Sequence, residues 1–226
     1  MSRPSPKPLL KSGQTGVLLV DDHPLIRERL AEILNREPDL RVIAEAEDRG
    51  GALEAIRRNA PELVIVDLAL KGSDGLELIK DIHVSWPGLN VLVVSMHDES
   101  LYAERVIRAG ARGYITKQEA TRNILLAIRR ILDGGVYLNE KAASSLLSRL
   151  AGDRNVGSSG PVESLADREL QVFELIGYGL SSHQIAQRLH ISSKTVETYR
   201  ARIREKLDLK DSSELLQLAI SWAHQR

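Results

Sequence analysis

Residues 17–25 read Val-Leu-Leu-Val-Asp-Asp-His-Pro-Leu (VLLVDDHPL). Four apolar residues typical of a buried β-strand are followed directly by two adjacent carboxylates, Asp21 and Asp22. On its own, such a pair is most often found in a solvated turn or a helix cap. The rest of the chain decides whether this pair is ordinary or belongs to a functional site.

The same pattern, a short apolar run followed by an amphipathic stretch, recurs four more times before residue 135. The apolar runs are VLLV, VIAEA, LVIVD, VLVVS and GYIT, and helical periodicity follows each of them. Strands that alternate with helices predict a parallel sheet with helices on both faces. We therefore expect a five-stranded α/β domain over residues 17–135.

The flanking segments have a different composition. Residues 1–16 are rich in proline and glycine and predict a disordered tail. Residues 136–163 predict a linker that contains one short helix and a run rich in glycine and serine. Residues 164–226 show four short helical patterns and no strand pattern, which indicates a small all-α domain.

The composition excludes several classes of protein. Lys and Arg number 31 and Asp and Glu also number 31, so any contact with DNA must come from a local basic patch. The chain has no cysteine, which excludes disulfides and thiolate sites. No apolar run approaches the ~20 residues that a membrane span needs. We expect a soluble, cytoplasmic protein that does not bind membranes.

Polar side chains stand where four of the predicted strands end. Asp21 and Asp22 follow the first strand, and Asp67, Ser95 and Lys117 stand at the ends of the third, fourth and fifth strands. Because the carboxyl ends of parallel strands meet at one edge of a sheet, we expect these side chains to lie close together. Three neighbouring carboxylates repel one another unless a cation lies among them, and Mg²⁺ prefers oxygen ligands. The sequence therefore predicts a magnesium site at this edge.

A carboxylate beside a bound cation can act as a nucleophile toward phosphorus, and Asp67 is the candidate. In such a reaction Lys117 would neutralise charge on the phosphoryl oxygens, and the Ser95 hydroxyl would donate a hydrogen bond to one of them. Each residue also has an ordinary interpretation: Asp67 as a helix cap, Ser95 as a turn residue and Lys117 as a solvated cation. Their joint occurrence at strand ends favours the phosphoryl site.

Residues 181–207 read SSHQIAQRLHISSKTVETYRARIREKL and predict two helices joined by a tight turn. One face of the second helix is apolar, and the opposite face carries Lys194, Glu197, Thr198 and Ala201 beside several arginines. Such a helix is often only a solvated surface helix. The order of helix, turn and basic helix instead matches the motif in which the second helix enters the major groove of DNA.

The first half of the chain resembles the receiver domain of bacterial two-component response regulators. The resemblance is carried by VLLVDDHPLIRERL, LVIVDLALKGSDGLELI, VLVVS and AGARGYITK. It implies a flavodoxin-like sheet, Asp67 as the phosphoacceptor and a sensor histidine kinase as the partner that supplies the phosphoryl group. The adjacent acids of the opening stretch then have a function, because a divalent cation joins them to Asp67.

The same resemblance implies roles for individual residues. Ser95 and Lys117 would contact the phosphoryl group, and the ring of Tyr114 would turn into the space that Ser95 vacates when its hydroxyl moves. The ligands implied for Mg²⁺ are Asp21, Asp22, Asp67 and the backbone carbonyl of Ala69.

Residues 165–226 resemble the LuxR-type helix-turn-helix domain, through DREL, the Ile185-Ala186 pair and ISSKTVETYRARIREKL. A receiver joined to this domain is similar to the NarL/FixJ family of transcriptional response regulators. The resemblance implies double-stranded DNA and RNA polymerase as partners, and a homodimer when the chain is phosphorylated. The residues expected at DNA are Lys194, Thr195, Glu197, Thr198, Ala201, Arg202 and Lys206.

Three departures from the family pattern have physical consequences. Leu70 and Lys71 stand where many receivers have Met-Pro, so the loop after Asp67 lacks the restraint of proline. Ala166 stands where the family usually has Ser or Thr, which removes a helix cap worth ~1 kcal/mol unless a neighbour replaces it. The triplet Ser182-His183-Gln184 replaces an Asn-Lys-Glu-like triplet, which weakens one expected phosphate contact.

Two other function classes compete with a phosphorylated DNA-binding regulator. An aspartate-nucleophile phosphatase of the haloacid dehalogenase type usually has a second Asp two residues after the nucleophile, and Ala69 stands there. A receiver-like protein that binds DNA without phosphorylation would have a damaged acidic pocket, whereas all five pocket positions are filled. We expect no dedicated enzyme, only slow hydrolytic loss of the phosphoryl group from Asp67.

The closing helix, predicted over Ser212 to His224, has more apolar surface than one packed face needs. One stripe of apolar residues would pack on the domain's own core. The second stripe consists of Leu216, Ile220 and Ala223, and the two stripes together cover roughly 220° against the ~100° of a single face. We expect the second stripe to form a dimer interface, with a receiver or linker contact as the alternative.

Overall fold

The computed structural model describes residues 13–97, 99–150 and 161–224, which fall into two compact units. Residues 13–150 belong to the first unit and residues 161–224 to the second. Most of the predicted tail, residues 1–12, and the glycine-rich run of the predicted linker, residues 151–160, lie outside the described residues. Among the described residues, no helix is long and apolar enough to cross a membrane.

The first unit is built on a parallel sheet of five strands. The strands are β1 Thr15–Val20, β2 Leu40–Ala46, β3 Leu63–Val66, β6 Asn90–Ser95 and β7 Gly113–Thr116, and β4 Ala69–Leu70 and β5 Ser73–Asp74 form a separate short hairpin. The order in the sheet is β2-β1-β3-β6-β7, and Val17–Val20 of β1 pair one to one with Leu63–Val66 of β3. The connections reverse direction between β1 and β3, which is where open α/β sheets form their sites.

Helices cover both faces of this sheet, because successive side chains of a buried strand point to opposite sides. Val17 and Leu19 pack in one core with Leu34 of the first helix and Ile128 of the fifth. The second helix contacts the third, and the third contacts the fourth. The helices are α1 Pro24–Asn35, α2 Arg49–Asn59, α3 Gly75–Ser85, α4 Glu99–Ala109 and α5 Lys117–Leu132. The α/β class predicted from the alternating pattern is confirmed.

The start of the predicted linker continues the first unit. Tyr137 forms a parallel β-bridge with Gly113, its N–H donates to the Arg112 carbonyl at 3.0 Å, and its carbonyl accepts from the Tyr114 N–H at 2.9 Å. A further helix, α6 (Glu140–Leu150), follows and contacts α4. The segment around Tyr137 therefore lines the open edge of β7.

Asn139 attaches α6 to the start of α4. Its backbone N–H and its Nδ2 donate to the two carboxylate oxygens of Glu99 at 2.7 and 2.8 Å, and Glu99 is buried. Its Oδ1 accepts from the Ala142 N–H at 2.8 Å, and its carbonyl accepts from the Ala143 N–H at 3.0 Å. One asparagine therefore caps α6 and holds a buried carboxylate of α4.

The second unit is helical, as predicted. After a short 3₁₀ turn at Pro161–Ser164, its core is formed by side chains such as Phe173, Ile185 and Val196. Phe173 meets Trp222 edge to face, with ring centroids 5.4 Å apart. The helices are α7 Asp167–Gly177, α8 Ser182–Leu189, α9 Ser193–Lys206 and α10 Ser212–His224.

Replacing Asn139 should weaken the first unit. We expect Asn139→Ala to lower its free energy of unfolding by about 1–3 kcal/mol, since the variant loses the α6 cap and one donor to a buried carboxylate. Urea unfolding of the full chain, followed by Trp86 fluorescence in a Trp222→Phe background, measures this loss. Asn35→Ala is the control, because Asn35 accepts one exposed hydrogen bond from the Val42 N–H. An equal loss in both variants would contradict the role of Asn139.

Candidate functional site

An acidic pocket forms where β1, β3 and β7 end. Lys117 Nζ lies 2.7 Å from Asp21 Oδ2 and 2.7 Å from Asp67 Oδ2. Both carboxylates are buried, as is Ser95 at the end of β6, the strand next to β3. Residues far apart in the sequence therefore meet at one edge of the sheet, as the strand-end pattern predicts.

Negative charge exceeds positive charge in this pocket. Burial raises the pKa of the Asp67 carboxyl, and the Asp21 carboxylate raises it further, although the ammonium group of Lys117 opposes both effects. Burial alone would lower the pKa of Lys117, but the two carboxylates outweigh it and keep this group protonated. One ammonium group thus serves two buried carboxylates, and the pocket favours a further cation.

The side chains of the pocket fit a divalent cation. Ligand atoms of Asp21, Asp22, His23 and Asp67 lie within 4.8 Å of one another. Asp67 Oδ1 is buried and accepts no hydrogen bond from any residue that the structure describes. Carboxylate oxygens at this spacing, with one of them unpaired, suit Mg²⁺, which binds through one or two carboxylates and retains water. His23 Nδ1 lies 2.6 Å from Asp22 Oδ1 and is an additional neighbour of the site.

A short hairpin shapes the loop after Asp67. Ala69–Leu70 (β4) pairs with Ser73–Asp74 (β5) across a turn at Gly72, whose φ is +65°. The backbone N–H of Ala69 lowers the pKa of the Asp67 carboxyl. Backbone pairing thus restrains the loop that contains Lys71, although this loop lacks the proline that the resemblance led us to expect.

Gly75, the first residue of α3, lies directly against the backbone of Asp67. A Cβ at this position would come within 2.2 Å of the Asp67 carbonyl oxygen and 2.6 Å of Leu68 Cα. The Gly75 N–H donates to the Leu68 carbonyl at 3.0 Å. The position of Asp67 therefore depends on glycine at residue 75.

Tyr114 connects β7 to the segment that follows Ser95. Its ring is fully buried, and its hydroxyl donates to the His97 carbonyl at 2.8 Å. The His97 N–H makes a long hydrogen bond, 3.4 Å, to Ser95 Oγ. The ring therefore already lies inside the unit, and its hydroxyl is bonded to the residue two positions after Ser95, the predicted phosphate contact.

The second unit contains the predicted helix-turn-helix. Ser181 caps α8, with its side chain accepting from the Gln184 N–H while Gln184 Oε1 accepts from the Ser181 N–H. His190 ends α8 in the left-handed region at φ 53°, and Ser192 caps α9 by accepting from the Thr195 N–H at 3.0 Å. These local signals fix both helix starts and the turn between them.

The face of α9 that was predicted to meet DNA is open to solvent. Lys194, Ala201 and Arg202 are exposed. Glu197 is exposed too, and its Oε1 accepts a 2.5 Å hydrogen bond from Ser182 Oγ. Thr195 is half-buried, Thr198 is exposed, and the Thr198 hydroxyl donates to the Lys194 carbonyl at 3.0 Å. The opposite face is held in the core by Val196, Ile203 and Leu207.

Residues 17–129 match the response regulator receiver domain, and residues 163–219 match the bacterial regulatory proteins of the luxR family. The oxygen regulatory protein NreC of Staphylococcus haemolyticus is 34% identical over 208 residues, which is 90% of this chain and 96% of NreC. The chain belongs to the LuxR-type response regulators.

Solved structures of response regulators share the fold. A LuxR-family response regulator from Aurantimonas sp. SI85-9A1 is 33% identical with a TM-score of 0.57, over 61% of this chain and 99% of that one. RcsB from Salmonella enterica serovar Typhimurium, solved bound to promoter rprA in the presence of the phosphomimetic BeF₃⁻, is 25% identical with a TM-score of 0.61. That match covers 90% of this chain and 97% of RcsB.

Several residues of this response regulator's pocket were not predicted from its sequence. Arg27 of α1 is buried beside Asp21. Its spacing from Leu30 and Leu34, at i, i+3 and i+7, places it on the apolar stripe of this helix. A charged residue on the apolar stripe of a helix can therefore be used to predict a buried, paired side chain. Gly75 gave no signal, because only the approach of the Asp67 backbone explains it.

Ala166 leaves the start of α7 with half of a capping box. Glu169 Oε2 accepts from the Ala166 N–H at 2.8 Å, while alanine has no side-chain acceptor to return the bond. Lys206 Nζ lies 2.7 Å from the same oxygen. Burial raises the pKa of Glu169, but Lys206 and the Ala166 N–H outweigh it and lower the pKa below its ordinary value of 4.5. Lys206, predicted to contact DNA phosphate, therefore also anchors α9 to α7.

The second stripe of α10 is only partly open. Leu216 is 41% exposed, and Ile220 is half-buried. Ala223 is half-buried near Gly177, where a Cβ on Gly177 would approach Ala223 Cβ to 3.0 Å. Ala223 thus contributes to packing between α7 and α10, and the dimer interface stays a prediction.

The ion pair of Glu169 should make the helical unit sensitive to acid. A carboxyl with a lowered pKa contributes stability above the unfolded value of about 4.5, and this stability is lost as the pH falls through the folded value. We expect Glu169→Gln to cost about 1 kcal/mol at pH 7 and progressively less below pH 4.5. Urea unfolding followed by Trp222 fluorescence in a Trp86→Phe background measures it.

Glu205→Gln, on the exposed side of α9, controls for the loss of one negative charge. It should change the free energy of unfolding by less than about 0.5 kcal/mol. A cost of Glu169→Gln that stays constant down to pH 3.5 would contradict the ion-pair account.

Proposed function

We propose that this response regulator is a transcription regulator that binds double-stranded DNA and is switched when a sensor histidine kinase donates a phosphoryl group to Asp67. The observation that carries this proposal is the state of the Asp67 carboxylate. One of its oxygens is fixed by Lys117 at 2.7 Å, and the other is buried without a partner among the described residues. A carboxylate that acts as a nucleophile needs an oxygen that is not occupied by a hydrogen-bond donor.

In the proposed transfer Asp67 Oδ1 attacks phosphorus, a P–O bond forms and the P–N bond to the kinase histidine breaks. Lys117 holds the carboxylate in orientation and neutralises charge on the phosphoryl oxygens, and Ser95 Oγ donates to one of them. Mg²⁺, held by Asp21, Asp22, Asp67 and the Ala69 carbonyl, would supply the remaining positive charge. We expect slow hydrolysis of the aspartyl phosphate.

The phosphatase alternative is less consistent with this pocket. A hydrolase that turns over needs an acid or base near the leaving group. Ala69 stands at the position where such enzymes usually have an aspartate, and its methyl side chain cannot act as an acid or a base. This arrangement favours a chain that retains its phosphoryl group over one that turns over substrate.

The proposed switch involves Ser95 and Tyr114. Movement of the Ser95 hydroxyl toward a phosphoryl group would break its long contact with the His97 N–H. The His97 carbonyl is the acceptor of the Tyr114 hydroxyl, so the same segment positions the ring. Because the ring already lies inside, we propose that phosphorylation fixes this inward arrangement.

Asp67→Asn should abolish phosphorylation, because an amide cannot act as the carboxylate nucleophile. The full chain is incubated with acetyl phosphate and Mg²⁺, and its intact mass is measured for one added phosphoryl group. Asp133→Asn, an exposed acid at the end of α5, should gain the group as the wild type does. Incorporation into Asp67→Asn at the wild-type rate would overturn the assignment.

For DNA, we propose that Lys194, Arg202 and Lys206 contact phosphates and that α9 enters the major groove. Thr195, Glu197 and Thr198 lie toward the start of α9, the end that meets base edges in this motif. Glu197 can accept from cytosine N4, and Ala201 offers only apolar contact, for example to a thymine methyl group.

Lys194→Ala should weaken binding to all DNA sequences by a similar factor and lower the slope of log affinity against log salt by about one unit. Lys141→Ala, which removes an exposed lysine from α6, is the control and should leave the slope unchanged. Fluorescence anisotropy at several salt concentrations measures both. A changed base preference with an unchanged salt slope would contradict a phosphate contact.

We further propose that the phosphorylated chain forms a homodimer through Leu216, Ile220 and, in part, Ala223. A two-fold dimer would place two α9 helices about 34 Å apart, one turn of DNA, and would match an inverted repeat. RNA polymerase is the proposed downstream partner. Because the proposed function requires access to DNA and RNA polymerase, we propose that the protein acts in the cytoplasm.

A further inference from the structure

Arg27 of α1 is a buried arginine with three partners, two at the end of β2 and one directly after β1. Its Nε lies 3.0 Å from Glu45 Oε2 of β2, and its Nη2 lies 3.3 Å from Glu47 Oε1 just after that strand. Its Nη1 donates to the backbone carbonyl of Asp21 at 2.5 Å. The guanidinium group thus ties α1 and the end of β2 to the first residue after β1.

The bond to Asp21 completes the restraint of that residue. The Asp21 N–H donates to the Ala46 carbonyl at 3.2 Å, and Asp21 Oδ1 accepts from the His23 N–H at 2.8 Å. Asp21 Oδ2 lies 2.7 Å from Lys117 Nζ, and the carbonyl is held by Arg27. Every hydrogen-bonding group of Asp21 is therefore engaged, and Arg27 is the side chain that fixes the peptide linking Asp21 to Asp22.

We propose that Arg27 is a positioning residue for the magnesium site and sets its affinity through the Asp21–Asp22 backbone rather than by touching the ion. This inference rests on the metal site of the proposed function. Groups that orient metal ligands from behind typically contribute 10–100-fold to metal affinity. Arginine suits the task because its rigid planar fork holds three separated acceptors in fixed directions, whereas the ammonium group of lysine is a compact point charge on a flexible stem.

Charge and geometry make opposite predictions for the loss of Arg27. If only its positive charge mattered, its removal from the neighbourhood of a cation site would tighten Mg²⁺ binding, because like charges repel. If Arg27 positions the ligands, its removal weakens binding although a repulsive charge is gone. A purely structural role would lower the melting temperature and leave Mg²⁺ affinity unchanged.

The test is isothermal titration calorimetry of the full chain with Mg²⁺ alone, so that no phosphodonor is needed. We expect Arg27→Met to raise the Kd for Mg²⁺ roughly tenfold or more. Arg129→Met is the matched control, because Arg129 pairs with Glu37 at 2.5 Å in the same unit, near the start of β2, away from the strand ends that form the pocket. A Kd for Arg27→Met that is lower than, or within about twofold of, the wild-type value overturns the proposal.

Arg27→Lys decides the matter if Arg27→Met does not fold. It keeps the charge but not the fork, and we expect it to weaken Mg²⁺ binding at least about threefold. A folded Arg27→Lys with wild-type affinity overturns the positioning role, and so does a failure of this variant to fold, which would show a general need for Arg27. A wild-type chain that binds no Mg²⁺ instead contradicts the metal assignment itself.

Discussion

One ammonium group shared by two buried carboxylates is the interaction on which the first unit depends. Lys117 Nζ lies at equal distances, 2.7 Å, from Asp21 and Asp67. Burying two anions with one cation is unfavourable unless other groups compensate, and the surrounding residues do so by fixing each anion. The backbone N–H of Ala69 favours the charged form of Asp67 and lowers its pKa, and the His23 N–H donates to Asp21. The pocket therefore keeps its shape while retaining a need for positive charge.

The segment from Ser95 to Glu99 relates this pocket to the chain beyond the sheet. Ser95 lies at the pocket, His97 accepts from Tyr114 in β7, and Glu99 accepts from Asn139 at the start of α6. Three residues of this five-residue segment thus carry contacts to the pocket, to an edge strand and to α6. The bond from the His97 N–H to Ser95 Oγ is long, at 3.4 Å, whereas the bonds to Tyr114 and Asn139 are 2.7–2.8 Å. The start of α6 is thus bonded to a residue only four positions after Ser95.

Periodicity and strand ends were enough to predict the fold and to bring the pocket residues together. The alternation of apolar runs with helical stretches is a strong signal because each strand is buried on both faces. Asp21, Asp67 and Lys117 could be grouped because parallel strands end at one edge. The partner of the second apolar stripe of α10 was harder to predict, because the pattern of a stripe does not show which neighbour covers it. One of its residues, Ala223, packs near Gly177 of the same unit.

Other contributions to the pocket depend on three-dimensional approach and left little trace in the sequence. Gly75 is required by the backbone of Asp67, which is eight residues earlier in the chain, across a loop whose path no propensity predicts. The hairpin at Ala69–Leu70 and Ser73–Asp74 is two residues long on each side, too short for an alternating pattern. Glu99 and Asn139 are forty residues apart, and polar residues at both positions look like ordinary surface residues until their contact is seen.

The bridge between Tyr137 and Gly113 bears on where the receiver can be separated from the rest of the chain. β7 is one of the two edge strands of the sheet, and an open strand edge is a template for pairing with other chains and for aggregation. The backbone around Tyr137 covers part of this edge. A fragment that ends at Gly135, where the apolar pattern stops, would expose it. A fragment that continues through α6 would keep this part of the edge covered. It should aggregate less than the shorter fragment in concentrated solution.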